Sequence, residues 1–343
     1  MMDGGHIDTR GEGTGPERGL PGAFVVSLDF ELRWGVRELC HGPDSYLRNV
    51  LGAREAIPRI LDLFERYGIR ATWATVGFLF ASTKEEMRRF WPSTQPRYAD
   101  ERLNPYADPT GDDEASDPAN FAASLVDRIR ETPGQDIGSH TFSHYYCLEE
   151  GNSRESFAAD LECAVAIARN RGIELRSLVF PRHQFNADYT DTIRDFGFSS
   201  FRGVDPSWVY RPCPESARTH PAKRGIRMLD RYVHVAGSRT LDFASIQRAD
   251  GLCNVAATHF LSPFQPKLAR FGELFRRRIT DDMDRAARNG RMVHLWWHPH
   301  NFGTHLEANL AMLEGLLTHY ERLNGRYGFQ SMSMDDVACR VKL

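Results

Sequence analysis

The sequence is poor in lysine, in patterned cysteine and in long apolar runs. Only four of its 43 basic residues are lysines (Lys84, Lys223, Lys267 and Lys342); the rest are arginines scattered along the chain, and the formal net charge is −3. A protein that binds nucleic acid by neutralising phosphates needs the opposite balance, so that class is excluded. The six cysteines form no C-x-x-C pair and no regular framework, which excludes a disulfide scaffold and reads as free thiols in a reducing compartment. No apolar stretch approaches the roughly 20 residues that cross a bilayer. The first 22 residues hold seven glycines and no apolar h-region, so residues 1–22 read as a flexible tail rather than a secretory signal. A cytoplasmic location is the expectation.

What the chain does have is the composition of an ordinary soluble globule. Of its 343 residues, 41% are hydrophobic and 26% charged, enough to bury a large core without staples. One domain over residues 23–343 is expected, since α/β barrels fill such lengths as single units. Short apolar runs at 23–30, 70–77, 175–180, 198–201, 254–259 and 292–297 read as buried strands. Between them lie helical patterns: Ile57, Ile60, Leu61 and Phe64 ended by Gly68, then 121–130, 188–196, 267–289 and 306–323. Pro58 is expected to begin or kink the first helix, and Asn152 with Glu155 resembles a capping box before Phe157, Leu161, Ala164 and Ala168. Strands alternating with helices predict parallel βαβ units, an α/β architecture whose chemistry collects at the strands' C-terminal ends. The proline-rich, acidic stretch at about 82–118 reads as an insertion. The irregular 204–225 stretch is expected to rim a site together with it.

Four segments past strand ends carry chemistry. In Asp29-Phe30-Glu31, alternation along a strand turns both carboxylates to one face, where they would hold a cation or a proton; solvated loop acids are the plain alternative. In His140-Thr141-Phe142-Ser143-His144, a helical backbone would put both imidazoles one turn apart on one face, able to share a metal ion. His294 and His298 share that spacing but sit in or after a strand, where four residues span too far. Arg182, after Pro181, would pin a carboxylate with its fork or lie plainly at the surface. His298, after Trp296-Trp297, would serve as a general acid at a strand mouth or simply be a structural histidine.

Taken in order, Asp29-x-Glu31, His140-Thr-x-Ser-His144, Pro181-Arg182 and the late His298 resemble the polysaccharide deacetylase family, the NodB-homology carbohydrate esterases. The passage LDLFERYGIRATWATVG at 61–77 is similar to that family's segment between its first two motifs. The resemblance implies a distorted (β/α) barrel of seven or eight strands with loop insertions. It implies a catalytic base and a metal-binding carboxylate on Asp29 and Glu31, with Asp29 taken as base and either able to touch the metal. His140 and His144 would be ligands, His298 the general acid, and Arg182, or Gln184 beside it, the partner of Asp29. This chain departs from the family in having Asp-Phe-Glu where adjacent aspartates are usual, and Pro-Arg where the order is Arg-Pro.

The implied cofactor is a divalent metal, Zn²⁺ first, since imidazole prefers zinc and its neighbours to magnesium. The implied reaction is hydrolysis of an N-acyl group, acetyl above all, on a sugar, with Trp34, Trp296 or Trp297 stacking on the ring. A cytoplasmic enzyme would meet a nucleotide-linked or lipid-linked sugar intermediate of glycan biosynthesis rather than mature wall polymer. Two rivals remain: a metal-independent C–N hydrolase of the same fold acting on cyclic ureides, and a barrel that binds glycans without turnover.

Overall fold

The computed structural model describes residues 20–40, 46–203, 237–246 and 250–342. Most of the expected tail and the whole 204–225 stretch lie outside the described residues. Nine strands form one sheet in which every pairing is parallel: β1 (Ala23–Phe30), β2 (Ala71–Thr75), β3 (Gln135–Ser139), β4 (Ser177–Val179), β5 (Ser200–Arg202), β6 (Cys253–Asn254), β7 (His259–Phe260), β8 (Met292–Trp297) and β9 (Gln330–Met332). Their order is 6-5-4-3-2-1-8-7, with β9 beside the start of β1.

The run expected as one strand at 254–259 is broken into β6 and β7, and the break closes the barrel. Val255 and Ala257 donate their N–H groups to Phe201 and Gly203 on the β5 side, whereas Thr258 and Leu261 donate to His294 and Trp296 of β8. One segment thus hands its hydrogen bonds from one end of the strand order to the other. The result is a distorted (β/α) barrel of seven staves, within the expected class.

Alternation along β1 sorts its side chains. Phe24, Val26, Leu28 and Phe30 join the large apolar layer under the helices, while Ala23 and Val25 join a smaller interior cluster with Ala74, Val179, Val255 and Met292. Ser27 and Asp29 continue the interior row toward the barrel mouth. The helices of the described residues are α1 (Leu47–Arg66), α2 (Lys84–Arg89), α3 (Ala123–Glu131), α4 (Arg154–Asn170), α5 (Thr190–Asp195), α6 (Gly272–Arg288), α7 (Leu306–Tyr327) and α8 (Met334–Val341), the last of which sequence patterning does not anticipate.

Two local expectations fail. Pro58 does not begin the helix but sits inside α1. The large apolar side chains buried on that helix, Val50, Ile57, Ile60, Leu61, Leu63 and Phe64, each worth about 1.5–3 kcal/mol, outweigh the roughly 3 kcal/mol that an interior proline costs. The cap of α4 is Ser153 with Ser156, not Asn152 with Glu155, the two serines bonding each other's backbone N–H. Among the described residues no helix is long and apolar enough to cross a membrane, and Cys40, Cys147, Cys163, Cys253 and Cys339 are free thiols.

Candidate active site

The C-terminal ends of β1, β3, β5 and β8 bring the chemistry to one mouth. Asp29 and Glu31 are both buried, yet they have different neighbours. Asp29 is gripped in a bidentate pair by Arg202 at the end of β5, at 2.6 and 2.7 Å, and Arg202 also donates to Ser27 Oγ at 2.9 Å. Ser27 Oγ lies in turn 2.8 Å from His294 Nε2, whose Nδ1 meets the Val255 carbonyl. Burial alone would raise the Asp29 carboxyl, but Arg202, helped by His140 and His298, holds it down at about 2.

Among the described residues no arginine or lysine pairs with Glu31. Its Oε2 faces His140 Nε2 at 3.2 Å and His144 Nε2 at 3.1 Å, and its Oε1 faces His298 Nε2 at 3.5 Å and His300 Nε2 at 4.0 Å. Burial works against its charge, yet the surrounding histidines keep it well below the ordinary carboxylate range. Gly35 makes this placement possible, because a Cβ there would stand 2.0 Å from the Glu31 carboxyl carbon.

The two motif histidines converge by a route other than the expected helical turn. Residues 140–144 form an irregular loop in which Thr141 and His144 both take positive φ, at 61°. Such backbone is strained in non-glycine residues and persists where its surroundings hold it. Asp160 of α4 does that holding, accepting from the N–H groups of Phe142 and Ser143 and from the Ser143 hydroxyl. Burial pushes the Asp160 carboxyl up, and these three donors leave it at about 6. Asp160→Ala should orphan two buried N–H groups and lower stability by about 3 kcal/mol, read by urea unfolding, with faster amide exchange confined to 140–144.

His140 donates Nδ1–H to the Val179 carbonyl at 2.9 Å, and His144 Nδ1 meets the Tyr146 hydroxyl at 3.1 Å. A carbonyl can only accept, so the His140 proton sits on Nδ1, and any form of the ring with a single proton turns a bare Nε2 to Glu31. Burial pushes His144 down to about 4, so its ring is neutral near pH 7. Wherever both rings turn bare Nε2 atoms to this oxygen, the three groups repel unless a cation lies among them. An imidazole whose far nitrogen is anchored by a carbonyl or hydroxyl in this manner has the habit of a metal ligand. Among the described residues, Glu31, His140 and His144 are the one cluster whose donor atoms all lie within 4.8 Å of one another. The donor set is nitrogen-rich and closes only one side, which fits zinc with positions left open.

The remaining expected residues divide. His298 stands at the end of β8, 3.7 Å from Asp29 Oδ2 as well as near Glu31. Trp296 shares its inward face and walls the cavity, under the Arg202 guanidinium and 4.5 Å from the His183 ring. Trp297 points the opposite way, fully buried between Phe64 and Phe302. Trp34 is likewise core, its indole N–H on the Asn120 carbonyl and its ring against Phe78. Neither of these two lines the cavity.

Arg182 does not reach Asp29. It pairs with Glu38 and lies over the Tyr146 ring, while Gln184 bonds Leu148 and Glu149. The partner role falls to Arg202, because the β4 turn, with Arg182 and His183 at positive φ, leaves Arg182 lining the cavity at its rim, on Glu38 and Tyr146. Arg202 and His300 were missed in the sequence. Arg202 ends a three-residue strand and so occupies the same kind of position as Asp29, the one signal that pointed to it. The cavity has a volume of about 370 Å³ and is walled by Tyr46, Phe260 and Trp296, with His144, His183, His298 and His300 among its polar groups.

Residues 44–201 match the model of the family described as polysaccharide deacetylase, a span that takes in His140, His144 and Arg182 but not Asp29, Glu31 or His298. No curated protein sequence matches the chain. A structure from Mycobacterium smegmatis described as a polysaccharide deacetylase has a TM-score of 0.55 at 13% identity, over 94% of both chains. One from Pseudomonas aeruginosa PAO1, described likewise, has a TM-score of 0.50 at 13% identity, over 92% of this chain and 89% of that one. A carbohydrate esterase family 4 pseudoenzyme from Bacillus anthracis has a TM-score of 0.43 at 11% identity, over 93% of this chain and 66% of that one. The match over residues 44–201 is a likeness to the polysaccharide deacetylase family that the motifs also resemble, and the fold is shared with solved structures so described.

Proposed function

We propose that this chain is a metal-dependent hydrolase that removes an N-acetyl group from a sugar. The observation that carries the reading is Glu31, a buried carboxylate met by two imidazole Nε2 atoms at 3.2 and 3.1 Å and paired with no arginine or lysine among the described residues. Such an arrangement calls for a cation. Glu31, His140 and His144 would hold a divalent ion, zinc by preference, which supplies Lewis acidity: it makes water nucleophilic near neutral pH and polarises the acyl carbonyl.

The protein's own groups do the rest. Asp29, kept ionised by Arg202, accepts the proton of the attacking water, a role worth about 10²–10⁴ in rate. His298, between Asp29 and Glu31 at the cavity wall, donates a proton to the departing amine. Trp296 and Phe260 offer faces to the sugar ring, and the polar groups opposite orient it. By the same reading the protein is cytoplasmic and its sugar is a soluble, nucleotide-linked or lipid-linked intermediate of glycan synthesis.

Acetate release from N-acetylated sugar nucleotides and chito-oligosaccharides tests this, before and after chelation and zinc return. Activity lost with the metal and regained with one equivalent of zinc supports it. Turnover untouched by chelation would favour the metal-independent C–N hydrolase instead. His298→Ala should keep its zinc while kcat falls about 10²–10⁴-fold; a wild-type kcat would remove His298 from the acid role.

A further inference from the structure

His300 stands two residues beyond the proposed acid, and nothing so far uses it. Its side chain is almost completely buried, at 2% exposure, yet its Nδ1 has no hydrogen-bond partner. Its Nε2 lies 4.0 Å from Glu31 Oε1, beyond hydrogen-bond reach, and the residue lines the cavity. The ring is held firmly nonetheless. It stacks on His298 with centroids 5.0 Å apart and planes 21° from parallel, and Tyr46 meets it edge-on at 5.4 Å. Tyr46 is itself fixed by the Asn301 amide, which donates to its hydroxyl at 2.8 Å.

A phenyl ring would fill this space without leaving nitrogens unpaired, so a histidine here weakens the empty fold. Nδ1 is shut away from the cavity, so the atom a ligand can reach is Nε2, which has no hydrogen bond among the described residues and lies on the Glu31 Oε1 side. We propose that His300 is a substrate-binding residue whose imidazole hydrogen-bonds an oxygen of the bound acylated sugar on the Glu31 Oε1 side of the cavity. This inference rests on the deacetylase reading and assigns that site a second imidazole beside the acid. His298 acts on the leaving group; His300 fixes where the substrate lies. Because the rings are stacked, a substrate oxygen held by one is brought within reach of the other.

The test uses zinc-loaded full-length protein and the variants His300→Phe and His300→Gln, with N-acetylated chito-oligosaccharide as the probe. His300→Phe should keep one zinc per chain and a Tm equal to or above that of the wild type, while KM rises tenfold or more and kcat changes less. His300→Gln should recover part of the loss, because its amide can donate and accept. A KM within twofold of wild type in a folded, zinc-loaded His300→Phe would show the ring to be filler and overturn the proposal. Loss of zinc from that variant would overturn it too, by making His300 a ligand. If the wild type itself releases no acetate, the deacetylase reading fails, and acetate titrated calorimetrically into zinc-loaded protein decides the present point. Weaker acetate binding in His300→Phe than in wild type supports it, and equal binding overturns it.

Discussion

Replacing His140 or His144 by alanine should remove the metal and the hydrolysis in one stroke. Each places its Nε2 within 3.2 Å of the same oxygen of Glu31, and each is anchored through Nδ1 by a group outside the cluster. Deleting one leaves two donors, too few for a zinc site that holds against dilution. Bound zinc, measured by elemental analysis after desalting, should drop from about one per chain to background. The lost charge stabilisation amounts to several kcal/mol, so acetate release should fall at least about 10³-fold. The fold should survive, since both rings lie at the barrel mouth, above the apolar interior. A single variant that retained full turnover without metal would dismiss the metal altogether.

The second large effect is expected at Arg202. Its guanidinium is buried and bidentate on an equally buried carboxylate, so Arg202→Met leaves Asp29 with an uncompensated charge. Breaking such a pair costs about 3–5 kcal/mol. The sign of the pH dependence follows from the direction of the shift. Asp29 sits near 2, below its ordinary 3.8, because Arg202 and the nearby histidines outweigh burial. In the wild type, that stabilisation is complete above about pH 4 and fades as pH falls toward 2. Without Arg202, burial dominates and the carboxyl rises. The variant's penalty should then be largest at neutral pH and shrink on acidification, as protonation discharges the buried group. The acid limb of kcat/KM should move to higher pH, and the rate at pH 7 should fall about 10²-fold or more. Arg182→Met should change stability by no more than about 1 kcal/mol, since Arg182 pairs with the half-exposed Glu38 at the rim. Equal losses in the two variants would show that the Arg202–Asp29 pair has no special place in the site.

How much of this could be read in the chain depends on the range of the interaction. Asp29 and Glu31 are legible because alternation along a strand is a local rule. His140 and His144 are legible as a pair, but the helical turn meant to join them is absent. What bends 140–144 is Asp160, on another element and invisible to spacing arguments. Arg182 and Arg202 were separable only in three dimensions, since both follow strands. The positive φ of the β4 turn leaves one at the rim, while the register of β5 sends the other into the barrel. Alternation would also have split Trp296 from Trp297, because neighbours on a strand cannot both face the cavity. Pro58 shows tertiary packing overriding a local preference.

Tyr98, within the stretch read as an insertion, takes the N–H of Tyr146 on its hydroxyl at 2.8 Å, two residues past His144. Tyr146 in turn caps the back of the His144 ring. The excursion from 82 to 118 is therefore a buttress whose far end bears on the ion-holding loop. Trimming it to make a minimal barrel would leave the staves standing and the clasp unsupported, so a truncated form should be judged by how tightly it retains zinc rather than by whether it folds.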